Sequence, residues 1–343
     1  MAKFDPNAAA MPDSGVFGLP FTPEEAKVVL VPVPFEATTS YGGGTADGPA
    51  EILEASKQVD LFDLDTGRPY EVGISMLAIP ADVRAWNDEG KALAAPIVET
   101  GGLEGDAVAL AKVNALSEKM NDWVYRTSKQ WIDAGKIVGV VGGDHSTPFG
   151  CIKAHAEKYT NLGVLHLDAH ADLRDAYEGF TWSHASIMFN VVKHLPGVRK
   201  LVQVGIRDFG EAEYSMIRES EGRIHTFFDA RLARARLDGM PWREQVDSIV
   251  HELPQHVYLS WDIDGLEPTL CPNTGTPVPG GLSFAQAVAL LEGLVRAGKK
   301  IVGFDLNEVS AGGSGSEWDG NVGARLLYKM IGWTLMSQGL TNR

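Results

Sequence analysis

Three short stretches of the chain hold residues that could do chemistry together. They are Gly142-Gly143-Asp144-His145-Ser146, Asp168-Ala169-His170-Ala171-Asp172 and Asp262-Ile263-Asp264. In Asp168-x-His170-x-Asp172 the functional residues alternate, so in an extended chain all three point to one side. Asp262-x-Asp264 repeats that spacing. With His145 the set offers four carboxylates and two imidazoles. Carboxylates crowded into one cleft cannot all stay ionised without a counter-charge. A divalent cation is the simplest one. Mixed nitrogen and oxygen donors suit Mn²⁺, Ni²⁺, Co²⁺ or Fe²⁺ better than thiolate-seeking metals. Six ligands exceed what one metal needs while water stays bound. Two metals sharing bridging carboxylates fit better, and two-metal sites generate a hydroxide nucleophile.

The elements that must position these residues are short apolar runs alternating with helical patterns. The candidate strands are Val28–Val33, Gly73–Ile79, Ile137–Val141, Gly163–Leu167, Leu201–Val204, Ile224–Phe228, Val257–Trp261 and Ile301–Leu306. Their nearly continuous apolarity is that of strands buried on both faces of a parallel sheet. Helical patterns run over Ala107–Ala134, Thr147–Lys158, Glu211–Glu219, Trp242–Leu253, Ser283–Ala297 and Asn321–Ser337. Ser283 reads as an N-cap and Gly298 as the closing C′ glycine. The alternation predicts one three-layer α/β domain over residues 26–343. Residues 1–25 read as an N-terminal arm packed on a neighbouring subunit. Ligands of open parallel sheets bind beyond the carboxyl ends of the strands. That is where His145, Asp168, Asp262 and, following the Ile301–Phe304 run of the last strand, Asp305 and Glu308 stand.

Composition narrows the class. The chain has 343 residues, 44% hydrophobic, with 30 basic and 45 acidic side chains and a net charge of −15. A chain of this length can bury a large core without a disulfide or structural metal. An acidic surface repels phosphate backbones, so nucleic acid is not an expected partner. No apolar run approaches the roughly 20 residues that span a bilayer. The first residues lack the pattern of a signal peptide, so the expected location is cytoplasmic. The two cysteines, Cys151 and Cys271, form no CxxC pattern and imply neither a disulfide framework nor a zinc–thiolate site. His251-Glu252 followed by His256 misses zincin spacing by one residue and is interrupted by Pro254.

The GGDHS, DAHAD and SWDIDGLEP segments, with TGTPVPGG after the last, resemble the ureohydrolases, the arginase and agmatinase family. The resemblance runs from about Val28 to the final helix. It implies an α/β/α fold with a central, mostly parallel eight-stranded sheet, assembled as a trimer or hexamer. A hetero-oligomer with a homologous subunit is the further alternative. It also implies two Mn²⁺, or in some members Ni²⁺, per chain and hydrolysis of a guanidino compound to urea and an amine. Carried over residue by residue, His145, Asp168, Asp172 and Asp262 would hold one ion. Asp168, His170, Asp262 and Asp264 would hold the other, with Asp168 and Asp262 bridging. Asp264 would accept a hydrogen bond from the attacking hydroxide. His184, in Trp182-Ser183-His184-Ala185-Ser186, matches the proton-shuttle histidine. Glu308 matches the glutamate that clasps the guanidinium, a planar fork that a carboxylate meets with two parallel hydrogen bonds.

Substrate choice rests on the loop after Asp172. Family arginases hold the α-carboxylate with an Asn and a Ser there, and this loop has no Asn. Glu178 is the expected partner of a distal ammonium, and Trp182 or Tyr177 the expected cover for an alkyl chain. A small cationic guanidine, agmatine first, is therefore the expected substrate. Arg174 stands against this, since an arginine facing the metals would favour a guanidino acid. Guanidine, biguanide or guanidino-acid hydrolysis, arginase and formimidoylglutamase are the alternatives within the family. A non-catalytic ureohydrolase-like subunit is the alternative outside enzymology, and the presence of all six ligands, His184 and Glu308 weighs against it. The segment Gly312–Asp319 departs from the family pattern and is expected at the pocket mouth.

Overall fold

A computed structural model describes residues 4–102, 106–312 and 315–341. Eight strands form one all-parallel sheet: β1 (Val28–Val33), β2 (Ile74–Met76), β3 (Ile137–Gly142), β4 (Leu162–Leu167), β5 (Val198–Val204), β6 (Ile224–Phe227), β7 (His256–Asp262) and β8 (Lys300–Asn307). Their order across the sheet is β2-β1-β3-β8-β7-β4-β5-β6. Alternate residues of each strand enter separate cores on the two faces. Val28 and Leu30 of β1 join one, and Val31 and Val33 the other. Leu165 and Leu167 of β4 likewise oppose Leu162 and Val164. Burial on both faces explains why these strands read as unbroken apolar runs.

The helices, in chain order, are α1 (Gly48–Ser56), α2 (Ala81–Glu99), α3 (Ala107–Asp133), α4 (Phe149–Lys158), α5 (Ile187–His194), α6 (Glu211–Glu219), α7 (Asp229–Leu237), α8 (Trp242–His251), α9 (Phe284–Arg296) and α10 (Trp318–Ser337). One layer holds α1, α8, α9 and α10, whose buried side chains belong to the first core; α3, α4 and α5 supply the second. Ser283 caps α9 by accepting from Gln286 N, and Gly298 follows its end at φ +71. Each fully buried Leu, Ile or Phe here contributes about 1.5–3 kcal/mol, so both layers are firmly held on the sheet.

Four helices lie outside the sequence expectation. α1 opens on Gly48-Pro49, α2 carries Gly90 and Pro96, α5 follows directly on a short 3₁₀ turn, and α7 is arginine-rich with little apolar contrast. α2 has apolar residues at helical spacing that Gly90 and Pro96 interrupt, and it packs on α3; α5 spans only eight residues; α1 and α7 have little apolar contrast. β2 is shorter than its run, ending at Met76. Within residues 1–25, Val16, Phe17 and Leu19 are buried in this chain's own core. Phe17 N donates to Ser56 Oγ at 2.8 Å, and the ring tilts against Tyr328. Among the described residues, no helix is long and apolar enough to cross a membrane.

Candidate active site

The four central strands, β3, β8, β7 and β4, are neighbours in the sheet, and the chemistry-bearing motifs lie at or just beyond their carboxyl ends. Chain order jumps here, since β8 and β7 lie between β3 and β4. Such a reversal opens the crevice in which doubly wound sheets bind ligands. The glycines of GGDHS let the turn after β3 pass between its neighbours. A Cβ on Gly143 would stand 1.9 Å from the Phe35 carbonyl oxygen, and one on Gly142 would stand 2.1 Å from Asn307 Oδ1. Only glycine fits this approach, and it delivers His145 into the cluster.

His145 Nδ1 lies 2.9 Å from Asp168 Oδ2, 3.4 Å from Asp262 Oδ2 and 3.5 Å from Asp172 Oδ2. Its other ring nitrogen is 3.0 Å from Ser260 Oγ, which donates to Asp305 Oδ1 at 3.0 Å. Asp305 thus supports the cluster from below instead of facing the cavity. His170 Nδ1 lies 3.1 Å from Asp264 Oδ2 and 3.4 Å from Asp168 Oδ1. Ala169 N donates to Asp264 Oδ1, and Asp264 N to Asp262 Oδ1, so backbone groups aim both carboxylates. Asp168, Asp172, Asp262 and Asp264 are all buried.

Two groups of side chains present donor atoms close enough to share an ion: His145, His166, Asp168 and Asp172, and Asp168, His170 and Asp264. Asp168 belongs to both. Asp264 Oδ2 is buried without a hydrogen bond. His170 is the group that faces it, and four buried carboxylates gathered on two imidazoles still carry more negative charge than those imidazoles offset, which a divalent cation would balance. The residues present therefore fit a metal centre of oxygen and imidazole donors.

Burial, reinforced by neighbouring carboxylates, raises Asp172, Asp262 and Glu308 well above the usual carboxylate range. Burial also pushes Asp168 up, but His166, His145 and His170 outweigh it and hold Asp168 well below that range. For His145 and His170 burial opposes the charge, and the surrounding aspartates outweigh it, so both are raised. The linkage has one sign above neutrality. A carboxylate with a raised folded-state pKa keeps a proton that the unfolded chain has released, so it weighs against folding as pH climbs. A raised histidine stabilises below its unfolded pKa, and that contribution is lost as pH rises through its folded value. Asp168 gives stability that is lost only in acid. The metal-free protein should therefore lose thermal stability from about pH 6 to about pH 9. Metal binding, which requires deprotonated ligands, should raise the melting temperature by more at the higher pH. Calorimetry of chelated and manganese-loaded protein checks this, and a metal-free melting temperature that climbs with pH would contradict it.

The cavity above the cluster has a volume of about 170 Å³ and is lined in part by Ser40, His170, Asp172, Arg174, Tyr177 and His184. Asp208, Glu213 and Thr276 complete its polar wall. His184 is held at the wall with its ring edge-on to Tyr177 and with Nδ1 buried and unbonded. Burial, then the charge of His170, lowers the His184 imidazole to about 4, below the neutral-range value that proton shuttling suggests from sequence. Glu308 Oε1 accepts from His145 N at 2.9 Å. Its backbone sits at φ +63, and that of Asp172 at φ +54. Left-handed geometry at two non-glycine site residues is strain of the kind that collects at functional positions.

Of the substrate-tail residues expected from sequence, Tyr177 lines the cavity, and Glu178 and Trp182 lie elsewhere. Trp182 packs edge-on against Phe149 and beside His194, and its Nε1 donates to Glu118. Glu178 sits at φ +53 with its Cα beside Gly102, and its Oε2 is buried and unbonded. Neither lines the cavity. Arg174 does, with its guanidinium over the Tyr177 ring and its Nε 3.5 Å from Glu213 Oε2. Asp208 was missed, although the strand-end rule that found Asp168 reaches it four residues beyond Val204. Of the segment Gly312–Asp319, Gly313 and Ser314 lie outside the described residues. Asp319 accepts from Asn273, Trp318 Nε1 donates to Thr269 O, and none of the described residues of this segment lines the cavity.

A model of the arginase family matches residues 26–332. The chain belongs to the arginase family. This family member is 34% identical over 331 residues to the N(1)-aminopropylagmatine ureohydrolase of Thermus thermophilus, covering 96% of this chain and 97% of that one. It is 30% identical to the agmatinase of Pyrococcus horikoshii, covering 90% and 92%. The agmatine ureohydrolase of Thermoplasma volcanium shares the fold at a TM-score of 0.71 and 23% identity, covering 93% of both chains. The eight-stranded sheet is thus the arginase-family fold, and the metal-ligand motifs stand at its central strand ends.

Proposed function

We propose that this arginase-family member hydrolyses a guanidino C–N bond, releasing urea and an amine, with agmatine-like cations as substrates. The convergence of six candidate ligand side chains from the ends of β3, β4 and β7 carries the reading: five fall in the two donor groups, and Asp262 stands 3.4 Å from His145 Nδ1. The names of the relatives support the substrate class. In this reading His145, Asp168, Asp172 and Asp262 hold one divalent ion, and Asp168, His170, Asp262 and Asp264 the other. Manganese or nickel bound there supplies Lewis acidity and lowers the pKa of water toward neutrality. The three-motif resemblance also supports a trimeric or hexameric assembly.

The chain's own side chains then divide the work. Glu308, buried behind the cavity wall with one oxygen held by His145 N, is the carboxylate that the family resemblance assigns to the guanidinium. Asp264, aimed by Ala169 N, accepts a hydrogen bond at the reacting centre. His184, neutral at physiological pH, accepts a proton and passes it to the departing nitrogen. Glu213 offsets Arg174 within the wall, and Asp208 adds a carboxylate, so the wall favours a cation.

Arg174 supports a second reading. Its side chain lines a cavity smaller than the roughly 300 Å³ at which drug-sized ligand pockets begin. A tail-less guanidine, a biguanide or a guanidino acid fits that wall better than a long polycation. A comparison of kcat/KM for agmatine, guanidine, a biguanide, 4-guanidinobutyrate and L-arginine separates the two. Agmatine should lead, and Arg174→Ala should leave it unharmed while lowering 4-guanidinobutyrate hydrolysis about tenfold, as for one lost charged hydrogen bond. A lead for guanidine, the biguanide or 4-guanidinobutyrate would overturn the cationic-tail reading in favour of the second. Urea from none of them would overturn the guanidino reading itself.

A further inference from the structure

Beneath the ligand cluster a hydrogen-bond chain crosses three neighbouring strands. His166 of β4, Gln203 of β5 and Thr226 of β6 are register partners, so their buried side chains stand side by side on one face. Thr226 Oγ1 donates to Gln203 Oε1 at 2.8 Å. Gln203 Nε2 donates to the Ala171 carbonyl at 2.7 Å and lies 3.1 Å from His166 Nδ1. His166 Nε2 lies 2.9 Å from Asp168 Oδ2.

Only one arrangement of protons satisfies every link. A carbonyl only accepts, so the Gln203 atom facing Ala171 is the amide nitrogen, and the Thr226 hydroxyl donates to the amide oxygen. The second amide N–H then meets His166 Nδ1, which must be bare. A neutral imidazole bare at Nδ1 carries its proton on Nε2, aimed at Asp168. Distance alone would allow His166 to join His145, Asp168 and Asp172 around an ion. Ligation through Nε2 would instead move the proton to Nδ1, where it would confront the Gln203 N–H.

We infer that His166 is a positioning residue and not a metal ligand: Gln203 and Thr226 fix its tautomer, and its N–H orients Asp168, the carboxylate common to both ligand groups. The inference rests on the reading of the cluster as a metal centre. Partners of this kind are typically worth 10–100-fold in metal affinity.

The test loads the full chain with manganese and measures its loss to a competing chelator. Electron spin-echo modulation counts the coordinated imidazole nitrogens in the same samples. His166→Phe should weaken manganese retention by about 10–100-fold and leave the nitrogen count at the wild-type value. His166→Gln, which restores an N–H toward Asp168, should recover part of the loss. Thr226→Val, two side chains from the cluster, should weaken retention in the same direction by less. A nitrogen lost in His166→Phe would make His166 a ligand, and wild-type retention would remove it from either role. Should His166→Phe not fold, Gln203→Leu and Thr226→Val decide: wild-type retention in both overturns the inference. A wild type that holds neither manganese nor nickel overturns the metal reading itself, and this inference with it.

Discussion

Asp168→Ala is expected to leave a folded protein that holds fewer than about one divalent ion per chain and forms no detectable urea. Asp168 is the side chain common to both ligand groups, with Oδ2 turned to His145 and Oδ1 to His170. Its loss removes a donor from each position at once and leaves the imidazoles of His145 and His170 facing one carboxylate fewer. Turnover should fall beyond the about 10²–10⁴-fold attached to a single acid–base residue. Metal analysis after gel filtration, with circular dichroism to verify folding, reads the result. Retention of both ions in the variant would mean that the two positions do not share this carboxylate.

His184→Asn should separate chemistry from metal binding. The side chain lines the cavity but belongs to neither ligand group. The variant should keep the wild-type metal content while kcat drops by about 10²-fold. Because burial holds His184 at about 4, the wild-type kcat/KM profile should show no acid limb near 6.5 that depends on this residue. A limb near 6.5 that vanishes in His184→Asn would show a histidine that titrates in the neutral range and arrives protonated. Unchanged turnover would remove His184 from the reaction.

The ligand motifs were readable because their chemistry and their position coincide. Parallel strands buried on both faces must be apolar, so Asp168 after Leu167 or Asp262 after Trp261 marks a strand end without reference to structure. Loop direction carries no such mark. Nothing in Tyr177-Glu178-Gly179 announces that Glu178 adopts φ +53 and turns away from the cavity. Nor does Trp182 announce that Phe149 and Glu118 are its partners. Arg174 reads equally well as solvent-facing or pocket-facing until Glu213, far along the chain, is seen to hold it. The His166 chain was hidden for a related reason. It depends on the in-register pairing of β4, β5 and β6, and register between distant strands is set by tertiary packing. Helices α2 and α7 escaped because Gly90 and Pro96 interrupt the apolar face of the first and arginines dilute that of the second.

Urea release is the most direct test of the central claim, that the buried aspartate–histidine cluster is a metal centre for guanidino hydrolysis. Protein loaded with manganese or nickel, stripped by a chelator, and reloaded would be incubated with the guanidino panel. Urea should form from at least one compound, disappear on stripping and return on reloading. Equal urea formation by stripped protein, or none from any compound with both ions bound, would contradict it.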